Sequence, residues 1–297
     1  MKLNLPNLII IGVHKSATTS LFMYLKAHPD VFGASKKEIH YFTPLRFGLS
    51  IKPIEYYSEY FKRYSNEKYA LEASPSYFYG RDVIIQAMRE VLPKSHKVIL
   101  MLREPSSRFI SFYGMLKSRL LLKETETISS FLEESLKYIR KPIEEMNLYS
   151  RAIQEGFYID YLKPWIENYR DNIKIVYFEN LKENPKSFTM DIANWLNIDP
   201  EFYENLNFSI EAKTVFAKNK LLHKTALLIN QKFESHFRNH PNIKNRIRNI
   251  YYSLNESKQE ESFDRSIMER LEKIYEEPNS KLKELLRKEA LNYPSWL

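Results

Sequence analysis

Residues 8–21 read LIIIGVHKSATTSL. Leu8 to Val13 form an apolar run containing one glycine, and His14, Lys15 and a cluster of small hydroxyl residues follow. A short apolar run closed by a turn reads as a buried strand, and Thr18 to Ala27 read as the next helix, with Leu21, Phe22 and Leu25 on its inner side. Such a turn suits an anion. Loop amides and the helix N-terminus point N–H groups at it, Lys15 adds a point charge, and Ser16, Thr18, Thr19 and Ser20 add hydroxyl donors. The spacing differs from the ATP-type G-x-x-x-x-G-K-[ST] loop. Lys15 follows Gly12 by three residues, the second glycine is missing, and no predicted strand ends in an aspartate suited to Mg²⁺. A P-loop kinase or GTPase is therefore disfavoured. The plainer alternative is a tight turn whose lysine is only solvated.

Outward from this loop, strands alternate with helices. Pro29 stops the first helix. Residues 30–50 read as loop-rich, PIEYYSEYFKRY as a short aromatic helix, and KYALEASPSYF as a second strand ending in a loop. A helix over 81–92 is closed by Pro93, and HKVILMLREP is a third strand ending on Arg103. Helices follow from Pro105 to Leu122, over 128–139 and over GFYIDYLKPWIENY, whose apolar face is Tyr161, Leu162, Trp165 and Ile166. NIKIVYFENL is a fourth strand, and NPKSFTMDIANWLNI is a helix with proline at its start. The alternation predicts an α/β fold: a three-layer, P-loop-like arrangement with a mainly parallel central sheet flanked by helices. Beyond residue 210 no strand is evident and the chain is basic and helical, with helices expected near 219–237 and 260–287. The expected organisation is a core over 1–210 and a helical C-terminal extension over 211–297 that packs on or caps it.

Composition narrows the chemistry. The chain has 297 residues, and with 21 Tyr and 18 Phe it is not a disordered polymer. No apolar run approaches the ~20 residues that span a bilayer, and the early run is not a signal peptide. There are no cysteines, so disulfides, thiolate metal sites and cysteine nucleophiles are excluded. The histidines at 28, 96, 223, 236 and 240 lack metal-ligand spacing, and no metal site is expected. Lys and Arg total 45 against 37 Asp and Glu, a formal charge of +8 that can steer anions. No nucleic-acid-binding signature accompanies it.

A second anion signal is LREPSSRFISFY. Arg103 ends a strand, and Ser111 lies eight residues on, two turns into the next helix. Together they can grip one phosphate from two sides. The two loops suggest a ligand with two separate anionic groups.

These segments resemble the sulfotransferases that use 3′-phosphoadenosine 5′-phosphosulfate (PAPS). GVHKSATTSL is similar to their loop for the 5′-phosphosulfate, and REPSSRFISFY to their 3′-phosphate motif. HPDVFGASKKEIHYF resembles the segment after the first helix of the Golgi heparan sulfate sulfotransferases, where a glutamate before an aromatic pair is the proposed base. SPSYF, GFYIDYLKPWIENY and IKIVYFENLKENP also resemble segments of that group, so the likeness covers about residues 7–200. It implies a cofactor loop of Gly12, His14, Lys15, Ser16, Ala17, Thr18, Thr19 and Ser20. Lys15 would meet the oxygen bridging phosphate and sulfuryl, and Arg103 and Ser111 would hold the 3′-phosphate. Glu38 would be the general base, with His40 the neighbouring candidate and His14 a further donor. The product would be adenosine 3′,5′-bisphosphate, and no metal would be required. Ala73 stands where the heparan-type enzymes usually carry a lysine. Their cysteine-flanked late loop is absent, with Lys218 and Lys220 the best stand-ins. Glu72, beside Ala73, is either a second carboxylate or a salt-bridged strand-end residue. Tyr41, Phe42, Tyr77 and Phe78 either line an acceptor pocket or belong to the core.

The expected activity is sulfuryl transfer to an acceptor hydroxyl on a saccharide, glycolipid or other small metabolite. An anionic acceptor is compatible with the net charge. The alternatives are a nucleotide or metabolite kinase with a divergent P-loop, and a non-catalytic phosphoadenosine-binding relative. Lack of cysteines and of a leader favours a cytoplasmic, bacterial-type enzyme, with peripheral membrane contact by the basic tail left open.

Overall fold

The computed structural model of the chain describes residues 3–141, 147–208, 219–232 and 265–297, with 247, 251 and 255 between them. Five strands form one parallel sheet in the order β2-β3-β1-β4-β5: β1 (Leu8–Gly12), β2 (Val31–Gly33), β3 (Tyr69–Ala73), β4 (Lys97–Leu102) and β5 (Ile173–Tyr177). The helices are α1 (Thr18–Lys26), α2 (Ile54–Ser58), α3 (Arg81–Val91), α4 (Pro105–Ser118), α5 (Ile128–Leu136), α6 (Leu148–Gln154), α7 (Ile159–Tyr169), α8 (Phe178–Glu183), α9 (Pro185–Leu196), α10 (Lys220–Lys232) and α11 (Arg265–Lys288). The three-layer architecture agrees with the expected fold class.

Every residue of β1 is buried because the strand is central and covered on both faces. Leu8 and Ile10 join Leu21, Phe22 and Leu25 of α1 and Ile192 and Leu196 of α9 on one face. Ile9 and Ile11 join Ile84 and Met88 of α3 and Leu162 and Trp165 of α7 on the other. Strand alternation thus puts neighbouring residues of one apolar run into two cores. Truncating any of these to alanine should cost about 2–5 kcal/mol. Leu282 and Leu286 of α11 enter the α3/α7 core, while Ile267, Leu271 and Tyr275 pack with α4, α5 and α6. The terminal segment continues over the sheet. Tyr177 donates to Asn292 O at 2.6 Å, and the Trp296 indole donates to Glu179 at 3.2 Å.

The sequence reading missed one strand. Val31–Gly33 is a three-residue edge strand, paired with Tyr69–Leu71 inside the segment expected to be loop. KYALEA is therefore the third strand rather than the second. The helices α6 and α8 were also unforeseen, and the helix expected to reach Leu122 ends at Ser118.

The sheet order positions the site. The chain runs from β1 to the edge strand β2, back to β3 beside β1, and then across to β4 and β5, so the crossover reverses beside β1. Ligands of open α/β sheets bind at the carboxyl ends of strands at such a reversal. The loops after β1 and β4, which carry the two anion motifs, are neighbours there because β1 and β4 pair directly. Gly12 ends β1 against Phe78, whose Cβ would lie 2.8 Å from an added side chain, so a glycine lets the loop leave the sheet closely packed.

Candidate active site at the carboxyl edge of the sheet

The loop between β1 and α1 is bent by two non-glycine residues in the left-handed region, Lys15 at φ 70° and Ala17 at φ 58°. Such residues cost energy and cluster at functional sites. Left-handed residues within a turn are the backbone feature from which anion nests are built. Ser16 is fully buried and its hydroxyl has no partner among the described residues. Thr18 opens α1, and no acidic residue occupies that helix's first turn.

Arg103, just after β4, donates from Nη1 to the carbonyl of Lys15 at 3.0 Å. The two anion motifs, 88 residues apart, are therefore in direct contact. The Arg103 guanidinium lies 4.4 Å from the centre of the Phe178 ring, and its Nε is buried without a partner among the described residues. Tyr158 donates to the Arg103 carbonyl at 2.8 Å, and Glu179 accepts from the Glu104 amide at 3.0 Å. Ser111 is half-buried on the second turn of α4. Arg108, between them in sequence, is fully buried in the interior, where it donates to Ala152 O. Desolvation, reinforced by Arg119 and Arg103, lowers the Lys15 pKa to about 8. A lysine so poised responds strongly to an anion.

The segment after β2 brings Glu38 and His40 to the same edge. Both are left-handed, at φ 55° and 57°. Glu38 Oε1 accepts from Lys37 Nζ at 3.0 Å, and Oε2 lies 3.2 Å from His40 Nε2. Burial favours the neutral acid, but the His40 bond and the charges of Lys37 and His14 outweigh it and hold Glu38 well below the usual carboxylate range. His40 Nδ1 meets the hydroxyls of Ser76 at 3.1 Å and Thr43 at 3.3 Å, and its amide donates to Ser74 Oγ at 3.0 Å.

Glu72 is separate from this pair. It is completely buried and accepts from Ser74 at 2.5 Å, Tyr57 at 2.8 Å and Tyr77 at 3.2 Å. Burial raises its pKa, and the reading of it as a salt-bridged residue is wrong: its partners are all hydroxyls. Tyr41, Phe42, Tyr77 and Phe78 are buried in the core, the plainer of the two readings given to them. Lys218 lies outside the described residues, and Lys220 opens α10 with its side chain likewise outside them.

Sequence reasoning did not find the charge cluster behind His14. Fully buried Glu155 uses one oxygen, Oε1, to accept from Arg46 Nη1 at 2.8 Å and from Arg151 Nε at 3.1 Å. Arg151 Nη2 lies 3.3 Å from His14 Nε2, and the Arg46 guanidinium lies 4.9 Å from the centre of the Tyr79 ring. Among the described residues there is no group of His, Cys, Asp and Glu that could hold a metal ion.

A wound parallel sheet, a lysine-bearing turn after its central strand and an arginine from the neighbouring strand bonded to that turn define an α/β fold of the doubly wound class. The family model described as "Sulfotransferase domain" matches residues 5–285, and the chain belongs to that family. It is 27% identical over its whole length to the bifunctional heparan sulfate N-deacetylase/N-sulfotransferase 1 of Caenorhabditis briggsae, of which it covers 32%. It is 30% identical over 68% of its length to the mouse heparan sulfate glucosamine 3-O-sulfotransferase 3B1, of which it covers 50%. The chain thus spans half or less of the length of these curated relatives. Among solved structures, a sulfotransferase from Alicyclobacillus acidocaldarius superposes with a TM-score of 0.60 at 24% identity, covering 76% of this chain and 92% of that one. No helix among the described residues is long and apolar enough to cross a membrane.

Proposed function

We propose that the protein is a PAPS-dependent sulfotransferase acting on the hydroxyl of a saccharide, glycolipid or other small metabolite. One observation carries the reading: the Arg103–Lys15 contact, which joins two anion motifs at the carboxyl edge of the sheet. The residues present suit PAPS, because Ser16 Oγ and Arg103 Nε are buried donors that lack protein partners among the described residues. Buried donors of this kind call for an acceptor. PAPS supplies a sulfuryl group already bound to a phosphate leaving group.

Lys15, the loop amides, Thr18 and Thr19 hold the 5′ end, and Lys15 meets the negative charge that develops on the leaving oxygen. Arg103 and Ser111 hold the 3′-phosphate. Glu38 is ionised at neutral pH and takes the acceptor's proton, while His40, pinned by Ser76 and Thr43, fixes the carboxylate's orientation. Lysine, arginine and N–H donors carry the electrostatics, so transfer runs without a metal. The likeness to heparan sulfate enzymes and the basic surroundings of His14 favour an anionic carbohydrate acceptor. The α11 segment belongs to a C-terminal extension of a single core, and the lack of cysteines fits a cytoplasmic, bacterial-type setting.

Calorimetry tests the nucleotide. Adenosine 3′,5′-bisphosphate is expected to bind far more tightly than AMP, with chelator present or absent, and Arg103→Ala to erase most of that difference. Equal affinity for both nucleotides would remove the 3′-phosphate role from Arg103 and Ser111.

A further inference from the structure

His14 connects the anion loop to the charge cluster, and the chemistry of its neighbour decides where its proton sits. Arg151 Nη2 is 3.3 Å from His14 Nε2. A guanidinium carries only N–H donors and does not deprotonate, so Nε2 must present its lone pair. The proton of neutral His14 is therefore on Nδ1. Among the described residues no acceptor bonds that N–H. Arg151 is itself held, because its Nε donates to Glu155 Oε1 at 3.1 Å, an oxygen also fixed by Arg46. The Tyr79 ring lies parallel to the imidazole, 7° off, with centroids 6.2 Å apart.

We propose that Arg151, backed by Glu155, is a positioning residue that fixes His14 as its Nδ1–H tautomer, and that this N–H donates to a sulfuryl oxygen of bound PAPS. The proposal rests on the PAPS reading above and adds a specific contact to it. His14 adjoins Lys15 in the loop after β1, and the His40 backbone is tied to the end of β1 through Ser74, whose Oγ accepts from the His40 amide and whose amide donates to Ile10 O, so His14 lies between the leaving side and the acceptor side. The sulfuryl group must occupy that interval for in-line transfer. A neutral imidazole is also required. Burial is the main cause that lowers the His14 pKa to about 4, with Arg151 and His40 acting in the same sense and Glu155 and Glu38 opposing. Tyr79, whose ring faces the imidazole, is kept neutral by burial, and Lys15, next in the chain, is a cation in the neutral range. His14 thus stays a single-proton donor across the neutral range.

Two amide substitutions separate the nitrogens. Asparagine at position 14 places its N–H near the former Nδ1, whereas glutamine reaches toward Nε2. Titration calorimetry with PAPS and with adenosine 3′,5′-bisphosphate should show His14→Asn binding PAPS much as the wild type does. His14→Gln should bind PAPS about tenfold more weakly, as expected for a lost hydrogen bond to a charged group. His14→Gln should weaken the bisphosphate much less than it weakens PAPS, because that product has no sulfuryl group. In protein carrying ¹⁵N-histidine, the His14 nitrogen shifts should report the Nδ1–H form at neutral pH. In Arg151→Met they should move toward Nε2–H, with protonation at a higher pH. An Nε2–H tautomer in the wild type, equal weakening of both nucleotides by His14→Gln, or equal weakening of PAPS by both amides would overturn the proposal. A wild-type protein that binds neither nucleotide would instead overturn the PAPS reading, and the contact with it.

Discussion

Lys15 has the most exposed electrostatic role in the site, and its ionisation sets a measurable limit. Its pKa of about 8 arises from desolvation first and then from Arg119 and Arg103. Because the lowered pKa belongs to a cation, the useful form is lost as pH rises. The kcat/KM for PAPS, which reports the free enzyme, should therefore fall on the alkaline side with a midpoint near pH 8. Lys15→Arg should abolish that limb within the accessible range, at lower activity, since a guanidinium does not titrate there. If the limb survives the substitution, it belongs to another group. At the acid side Glu38 behaves differently: its lowered pKa keeps it ionised through the mildly acidic range, so it sets no limb near neutrality. Glu38→Gln should reduce kcat by roughly 10²–10⁴-fold, the usual contribution of a general base, with bisphosphate affinity nearly unchanged. Glu72→Gln provides the contrast. It disturbs a buried carboxyl that receives three hydroxyl bonds, so the expected loss is in stability, about 1–3 kcal/mol, rather than in kcat. Loss of turnover in Glu72→Gln with thermal stability intact would move the base away from Glu38.

At the level of elements, the β1–α1 turn shows how a site can be legible in sequence while its strain is not. Ala17 stands immediately before α1 at φ 58°, a position that suits glycine. Ala17→Gly relieves roughly 1–2 kcal/mol of backbone cost, and about 0.4–1 kcal/mol returns through the freer unfolded chain. The net expectation is a small gain, a degree or two in melting temperature by scanning calorimetry. A clear loss would mean that the alanine methyl group contributes packing that outweighs the strain. The strand, the lysine and the hydroxyls of this turn could be read because an apolar run and its following helix carry their own periodicities. Lys15 and Arg103 could be paired because both follow such runs. The edge strand Val31–Gly33 could not, since three residues are too few to display alternation. Nor could α6, whose importance lies in what its far end meets. Arg46 and Glu155 are 109 residues apart, and His14 and Arg151 are 137 apart. Nothing in the local spacing of either member announces the other. Glu38 is singled out only by family likeness, while its clamp by Lys37 and His40 depends on two left-handed residues that the sequence does not mark.

Across the whole molecule, the charge cluster around Glu155 ties the anion loop, the segment bearing Arg46 and the α6 end to one buried carboxylate. Arg46 and Arg151 share its Oε1, and Arg108 lies close enough to act on it through space. Burial alone would raise the Glu155 pKa, but Arg151, Arg46, His14 and Arg108 together lower it to about 2. The sign of the pH effect follows from that lowering. Stability contributed by this carboxylate is present above its ordinary value of 4.5 and is lost as pH falls through about 2. Its size is on the order of 3 kcal/mol, taking 1.36 kcal/mol per pH unit. Glu38 acts in the same direction, so wild-type melting temperature should decline progressively between those values. Glu155→Gln should lower stability at pH 7 by about 3–5 kcal/mol, because Arg46 and Arg151 are left buried without their counter-charge. The same variant should show a shallower acid decline, with the remaining slope owed to Glu38 and other carboxylates. Melting curves of both proteins from neutral pH to pH 2 measure the two effects together. A variant that is destabilised at pH 7 yet keeps the full wild-type slope would show that Glu155 acts through packing rather than through its charge.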